Sequence, residues 1–451
     1  MKNAVLTAMV RRIILFLIAV QVISILFLSL NNEIYTWDET SYIINGIQLS
    51  KENLNPVLEK YIAFERHPLL SWIIAGAINI GLPVWSYNLI SFFSLILLLL
   101  LTYRIGKEFF NKDVGLIAAF LLTTIPTVII LSAKVLTDIP STFLFSFSFY
   151  LYYNGLKKPM NFLWGGLVGG LSVIMKDMNL LLIPILLVFL IIFWKKINKK
   201  YFLISAFVAL VAMLPYFIDN YLRWGNPLYR IITHINMVNA GIGYQSLSIL
   251  DYPVAWIIFL PFLVGLPIFL LFVKYVYKRK SLWHINSRLN FLLIWFFTPL
   301  FIFVLKQKIS PRLIGIFLIP ILVMGSNQLL MQKRWKFWLI MCLVMNGLFI
   351  SSFIIYNQIT LKPAHDELFA FIQEIVPEDK VVYTNASPPS ILAWYSNRIF
   401  DFELNPDINN AVKYYLFDKT YEKYTQRTSL NSEHYNLLFE NNRYTLYEKI
   451  Y

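Results

Sequence analysis

Long apolar runs separated by short polar punctuation dominate this chain. A helix needs ~20 apolar residues to cross the hydrocarbon core of a bilayer. About eleven stretches qualify, at roughly 12–30, 85–104, 113–132, 138–156, 161–176, 178–194, 201–219, 252–273, 289–305, 312–331 and 337–356. Some are divided only by segments as short as "KVLTD" or "KDMN". Three intervening or terminal segments are too long to be turns. The first, 31–84, contains "SYIINGIQL" and "HPLLSWIIAGAINIG", which pattern as amphipathic or half-buried helices at the interface. The second, 220–251, carries Trp224, Tyr229 and Tyr244, suited to an interfacial aromatic belt. The third, 357–451, is a tail in which "HDELFAFIQEIVPED" and "PPSILAWYSN" read as helices, and "KVVYTN", "RIFDF", "VKYYLF" and "RYTLYEKI" as strands. That alternation predicts a small α/β domain, large enough for its own core. The expected organisation is a transmembrane module over 1–356 and an extracytoplasmic domain over 357–451.

Composition turns this pattern into a class. Of 451 residues, 58% are hydrophobic and only 14% charged, more apolar surface than a soluble fold of this length can hide. The chain therefore reads as a polytopic α-helical membrane protein. A net charge of +14 in a soluble domain would point to nucleic acid; here its distribution points elsewhere. With the N-terminus in the cytoplasm, the inner segments gather 20 of the 39 basic residues but only two of the 25 acidic ones, Glu108 and Asp113. This asymmetry fits the positive-inside rule and argues for a lipid bilayer, with no nucleic acid, as the partner. Residues 13–30 follow Arg11 and Arg12, yet no small-residue cleavage site precedes "NNEIYTWDE", so the first helix is expected to stay uncleaved. The single cysteine, Cys342, lies in an apolar run and excludes an internal disulfide or a cysteine-based zinc site. There is no internal repeat, no phosphate-binding loop and no dinucleotide fingerprint.

The ionisable residues near helix ends carry the functional signal. Asp38, Glu39, Glu65, Arg66, His67, Lys134, Asp138, Lys176, Asp177, His234, Lys306, Lys308 and Arg312 all fall at the outer membrane face in this topology, and none at the middle of a span. An ion-coupled carrier buries an acid or histidine near mid-bilayer. An enzyme acting on a lipid-linked substrate needs its groups where the lipid head sits. Arg66, Lys176, Lys308 and Arg312 are candidates to bind a donor phosphate, and Asp38 is a candidate base for an acceptor hydroxyl. The plainer alternatives are helix caps for Asp38 and Asp138, an i,i+4 pair of Asp138 with Lys134, and snorkelling for the basic side chains.

"WDET", "FERHPLLSWI", "SAKVLTDIPSTFLF", "GGLSVIMKDMNLLLIP" and "KQKISPRLIGIFLIP" form an ordered set along residues 10–330. The set resembles the GT-C superfamily of membrane glycosyltransferases, above all the family 39 protein O-mannosyltransferases and the lipid A aminoarabinose transferases. The resemblance implies a GT-C fold, with Asp38 as catalytic base or its orienter, Glu39 as its companion and Asp138 as the second acid. It implies that Arg66 stands where the family's phosphate-contacting lysine does, that Lys176 and Lys308 match family lysines, and that Arg312 lies where Tyr or Phe is usual. "ITHINMVN" resembles a histidine-bearing outer-loop motif, which makes Glu65 and His234 candidate ligands for a divalent metal; no other cofactor is implied.

The expected function is transfer of a hexose or pentose from a polyprenyl-phosphate donor, with inversion, at an extracytoplasmic site in a prokaryotic plasma membrane. The acceptor is a protein, glycolipid or glycan. The alternatives are a flippase or other transporter of polyprenyl-linked sugars, and a non-catalytic scaffold presenting the tail.

Overall fold

The computed structural model describes residues 6–30, 37–50, 66–239, 260–261, 263–279, 287–305, 311–356, 362–377, 380–384, 396, 398–402, 413–418, 435–441 and 444–449. The chain forms two compact units. One comprises Met1–Asn32, Glu65–Leu70 and Leu82–Phe349; the other comprises Glu33–Phe64, Ser71–Gly81 and Ile350–Tyr451.

In the first unit the described parts of the apolar runs are largely helical. Its helices are Ala8–Leu30, Asn88–Phe109, Lys112–Thr124, Pro126–Ser132, Asp138–Gly155, Met160–Met175, Leu182–Phe193, Lys199–Trp224, Leu266–Arg279, Ser287–Leu305 and Gly315–Leu330. Trp335–Tyr356 follows. Among the described residues, Ala8–Leu30, Val84–Phe109, Lys199–Trp224 and Arg312–Leu330 are each long and apolar enough to cross a membrane. Lys112–Thr124 and Pro126–Ser132 make a fifth span if taken together, bent by 69°. The bend has a sequence cause, because Pro126 lacks the N–H that would continue the ladder and drives Ile125 to extended backbone (φ −73°, ψ 119°). Asn346 supports the break by donating to Thr124 Oγ1 at 3.1 Å, an interhelical bond of the kind polar residues make in membranes.

Gly315–Leu330 is buried along its whole length and forms the centre of this unit. Around it, Phe149, Phe291 and Trp295 interlock, with ring centroids 4.4 Å apart for Phe149–Phe291 and 5.4 Å for Phe149–Trp295. Ile13, Phe16, Ile23 and Phe27 on the first helix, and Leu203, Phe207 and Leu210 on Lys199–Trp224, are exposed. Such apolar faces are stable against lipid tails rather than water. Met160–Met175 packs closely on its neighbour because Gly166 and Gly170 leave no Cβ where the Ser205 and Ala209 carbonyls sit.

The segment "SYIINGIQL" is helical, within Trp37–Ser50 of the second unit, and "PLLSWIIAGAIN" forms Pro68–Asn79, which belongs to the second unit from Ser71 on. Gly46 leaves room for Ile74, and Ser71 Oγ donates to the Tyr42 carbonyl at 3.2 Å. The tail is α/β as expected. Helix Lys362–Ile375 precedes β1 (Val381–Thr384), β2 (Ile399–Phe402), β3 (Tyr414–Asp418), β4 (Tyr435–Glu440) and β5 (Tyr444–Lys449). The sheet order is β2-β1-β3-β5-β4, parallel across β2-β1-β3 and antiparallel across β3-β5-β4. Leu368 and Ile372 of the helix pack with Val382, Leu416 and Leu446. Buried Arg398 donates to the Val376 and Gln373 carbonyls at 2.6 and 2.9 Å, satisfying the helix's C-terminal end. Strand β4, "YNLLFE", was not among the expected strands, and the expected helix at "PPSILAWYSN" lies mostly outside the described residues.

Candidate active site

The centre of the site is a carboxylate held between two cations. Asp138 occupies the first turn of Asp138–Gly155 and is only 2% exposed. Lys176 Nζ lies 2.8 Å from its Oδ1. The Arg312 guanidinium approaches side-on, with Nε 3.0 Å from both carboxylate oxygens and Nη2 2.5 Å from Oδ2. Two positive charges face one negative charge, so the cluster carries net +1. Lys176 is 16% and Arg312 36% exposed, so the cations, not the acid, meet what enters.

Local sequence explains each placement. Lys176 ends Met160–Met175 in extended conformation (φ −161°, ψ 120°), before the 3-10 turn Asp177–Leu181. Asn179 in that turn donates to the Ser172 carbonyl at 2.9 Å and to Ser141 at 3.4 Å, tying the "KDMN" break to the helix that carries Asp138. Upstream, Ser91 Oγ holds the Leu136 carbonyl at 3.0 Å and steadies the approach to Asp138. Arg312 lies in the 3-10 turn Pro311–Ile314. Gly315 follows, and its missing side chain leaves the space that Thr142 fills one turn below Asp138. The close approach brings Arg312 within reach.

A histidine and a second carboxylate lie beside this cluster. His67 Nε2 lies 3.3 Å from Asp177 Oδ1, with both side chains largely buried. Asp177 directly follows Lys176, so the short segment bearing Arg66 and His67 is brought to the Lys176 turn. Arg66 itself is half-buried. Farther along, buried Arg230 joins Asp219 (2.7 Å) and Asn220 (2.8 Å), and its guanidinium carbon lies 4.8 Å from the Trp224 ring centroid. Burial draws this guanidinium below its ordinary value, while Asp219 pulls the other way as its counter-ion. Arg230 was missed by sequence reasoning. The available signal was an arginine among aromatic residues just after the "WGNP" turn.

The structure thus brings Asp138, Lys176 and Arg312 together and sets His67, Asp177 and Arg66 beside them. Asp38 and Glu39 belong to the other unit. They occupy the first turn of Trp37–Ser50, where carboxylates favour the helix dipole, with Asp38 half-buried and Glu39 fully buried. Glu65 and Lys308 lie outside the described residues, and His234 is on helix Tyr229–Asn239 with its side chain outside the described set. Among the described residues, no three His, Cys, Asp or Glu side chains gather as a metal site.

The chain has the GT-C fold. Two solved structures carry that assignment. The chain is similar to ArnT from Cupriavidus metallidurans bound to undecaprenyl phosphate, with TM-score 0.67, 13% identity, and 97% of this chain and 98% of that one covered. It is similar to the Archaeoglobus fulgidus oligosaccharyltransferase in complex with zinc and sulfate, with TM-score 0.57, 14% identity, and coverage of 96% and 73%. That archaeal enzyme, AglB, is also known with an inhibitory peptide and a dolichol-phosphate, at TM-score 0.55, 12% identity, and coverage of 92% and 70%. Residues 65–218 match the family model of dolichyl-phosphate-mannose-protein mannosyltransferases. No curated protein sequence matches the chain. The resemblance seen in the motifs therefore holds for the fold, and the chain is an integral membrane protein.

Proposed function

We propose that this protein transfers a monosaccharide from a polyprenyl-phosphate donor to an acceptor at the extracytoplasmic face, with inversion at the anomeric carbon. The observation that carries the reading is the net-positive Asp138–Lys176–Arg312 cluster at helix ends in a GT-C fold. Lys176 and Arg312 receive the donor phosphate, and Arg66 adds to the field. A fixed cationic cradle also favours the leaving group, because negative charge on the phosphate grows as the glycosidic bond breaks. Both oxygens of Asp138 are engaged by cations, so its part is to position them. Proton removal from the acceptor hydroxyl falls to Asp38, with Glu39 as its buried companion. The hydroxyl oxygen attacks the anomeric carbon opposite the phosphate; the carbon–oxygen bond to phosphate breaks, and polyprenyl phosphate leaves.

The test supplies purified protein in lipid with a panel of radiolabelled polyprenyl-phosphate sugars, with and without chelator, and measures released polyprenyl phosphate. Asp38→Asn is expected to lower release by about 10²–10⁴-fold while donor binding persists. Full turnover in Asp38→Asn at normal expression would remove Asp38 from the chemistry.

A further inference from the structure

A second charged cluster lies at the far end of the same helix that carries Asp138, about 27 Å away along the axis. Three separate segments meet there. Arg104, Lys107 and Glu108 come from the last turns of Asn88–Phe109, Lys157 and Lys158 from the turn after Asp138–Gly155, and Arg288 from the start of Ser287–Leu305. Glu108 accepts from Lys157 Nζ at 2.7 Å and from Tyr150 Oη at 2.6 Å. Arg104 Nε donates to that same Tyr150 oxygen at 3.1 Å. Arg288 Nη1 donates to the Phe109 carbonyl at 3.3 Å. Beneath them, Phe109, Tyr153 and Phe291 pack with centroids 4.7–5.6 Å apart, an aromatic floor of the kind found at headgroup depth.

Snorkelling cations would each turn outward to water. These converge instead. Lys157 bonds Glu108, Arg104 bonds the tyrosine that donates to Glu108, and Arg288 bonds the carbonyl of Phe109, next in the chain to Glu108. Arg104, Lys157 and Arg288 against Glu108 leave a local charge of +2, and exposed Lys107 and Lys158 raise it further. Lys157 remains 58% exposed, so the array is open to an anion.

We propose that these cations form a binding site for the headgroup phosphate of an anionic phospholipid in the leaflet opposite the Asp138 cluster. The lipid's acyl chains lie along the apolar helices, its phosphate oxygens meet Lys157 and Arg288, and Glu108 is the carboxylate that the phosphate competes with for Lys157. The site is independent of sugar transfer, because none of its residues belongs to the Asp138 cluster.

The experiment places the full chain in phosphatidylcholine nanodiscs with or without phosphatidylglycerol, then counts retained phosphatidylglycerol by native mass spectrometry. At about 5-fold per cation, Lys157→Ala/Arg288→Ala is expected to weaken retention roughly 25-fold. Lys195→Ala/Lys196→Ala, which removes the same charge from another exposed inner turn, is expected to leave retention unchanged. Glu108→Gln is expected to tighten it, a gain that misfolding cannot imitate. Equal losses in both double variants would replace the site with a diffuse surface field. Retention unchanged in Lys157→Ala/Arg288→Ala, no gain in Glu108→Gln, or equal loss of retained phosphatidylglycerol from both double variants would each overturn the proposal.

Discussion

In the proposed site, the charge balance of the Asp138 cluster makes opposite demands on stability and on donor-phosphate binding, and substitutions separate them. Lys176→Met keeps the side chain's bulk but takes the cluster from net +1 to neutral. Asp138 retains the Arg312 fork, so the fold survives, but one charge-assisted hydrogen bond to the lipid phosphate disappears. Such a bond contributes ~1.5–3 kcal/mol, or roughly 13- to 160-fold in Kd. Asp138→Asn does the reverse. It takes the cluster to +2, so undecaprenyl phosphate affinity is kept or increased. Yet it strands Lys176, which is only 16% exposed. Removing one partner of a buried pair costs about 3–5 kcal/mol, and the low end applies because Arg312, 36% exposed, can turn to water. Turnover falls because the cations lose their common anchor. Asp138→Asn/Lys176→Met restores net +1 and is expected to recover stability beyond the sum of the single changes, with a coupling of ~0.5–3 kcal/mol. The assays are binding of radiolabelled undecaprenyl phosphate to purified protein and thermal unfolding followed by the fluorescence of its 12 tryptophans. Wild-type affinity in a stably folded Lys176→Met would refute the reasoning, since Lys176 would then be only a structural counter-ion.

Three further outcomes follow from the packing. Gly170→Leu places a side chain against the Ala209 carbonyl, 2.5 Å from the new Cβ, and is expected to cost ~1–3 kcal/mol, read as a lower unfolding temperature in detergent. Arg230→Ala removes one of the two arginines on Asp219, leaving Arg223, and empties a buried position; a loss of ~1.5–3 kcal/mol is expected, with faster proteolysis near residues 220–239 as the readout. Arg398→Ala removes two charge-assisted bonds to the end of helix Lys362–Ile375 and should destabilise the tail by ~1.5–3 kcal/mol, measured by amide exchange along that helix.

The membrane class and the α/β character of the tail were legible in the chain itself, because burial in lipid demands uninterrupted apolar runs and strands demand a different period. That ionisable residues gather at helix ends was legible for the same reason: only charges at the ends of apolar runs avoid the cost of the bilayer interior. What they touch was not. Asp138 sits four residues after Lys134, and the local rule pairs those two. The structure instead pairs Asp138 with Lys176 and Arg312, 38 and 174 positions away. Likewise β4 in "YNLLFE" is held by its pairing with β5, and Arg104, Lys157 and Arg288 meet only where three helix ends converge. Periodicity and hydropathy act over one or two turns, so the chain alone determines which segments enter the membrane and where their charges must surface. Partnership between those charges depends on which helix ends pack together, and only the tertiary fold decides that.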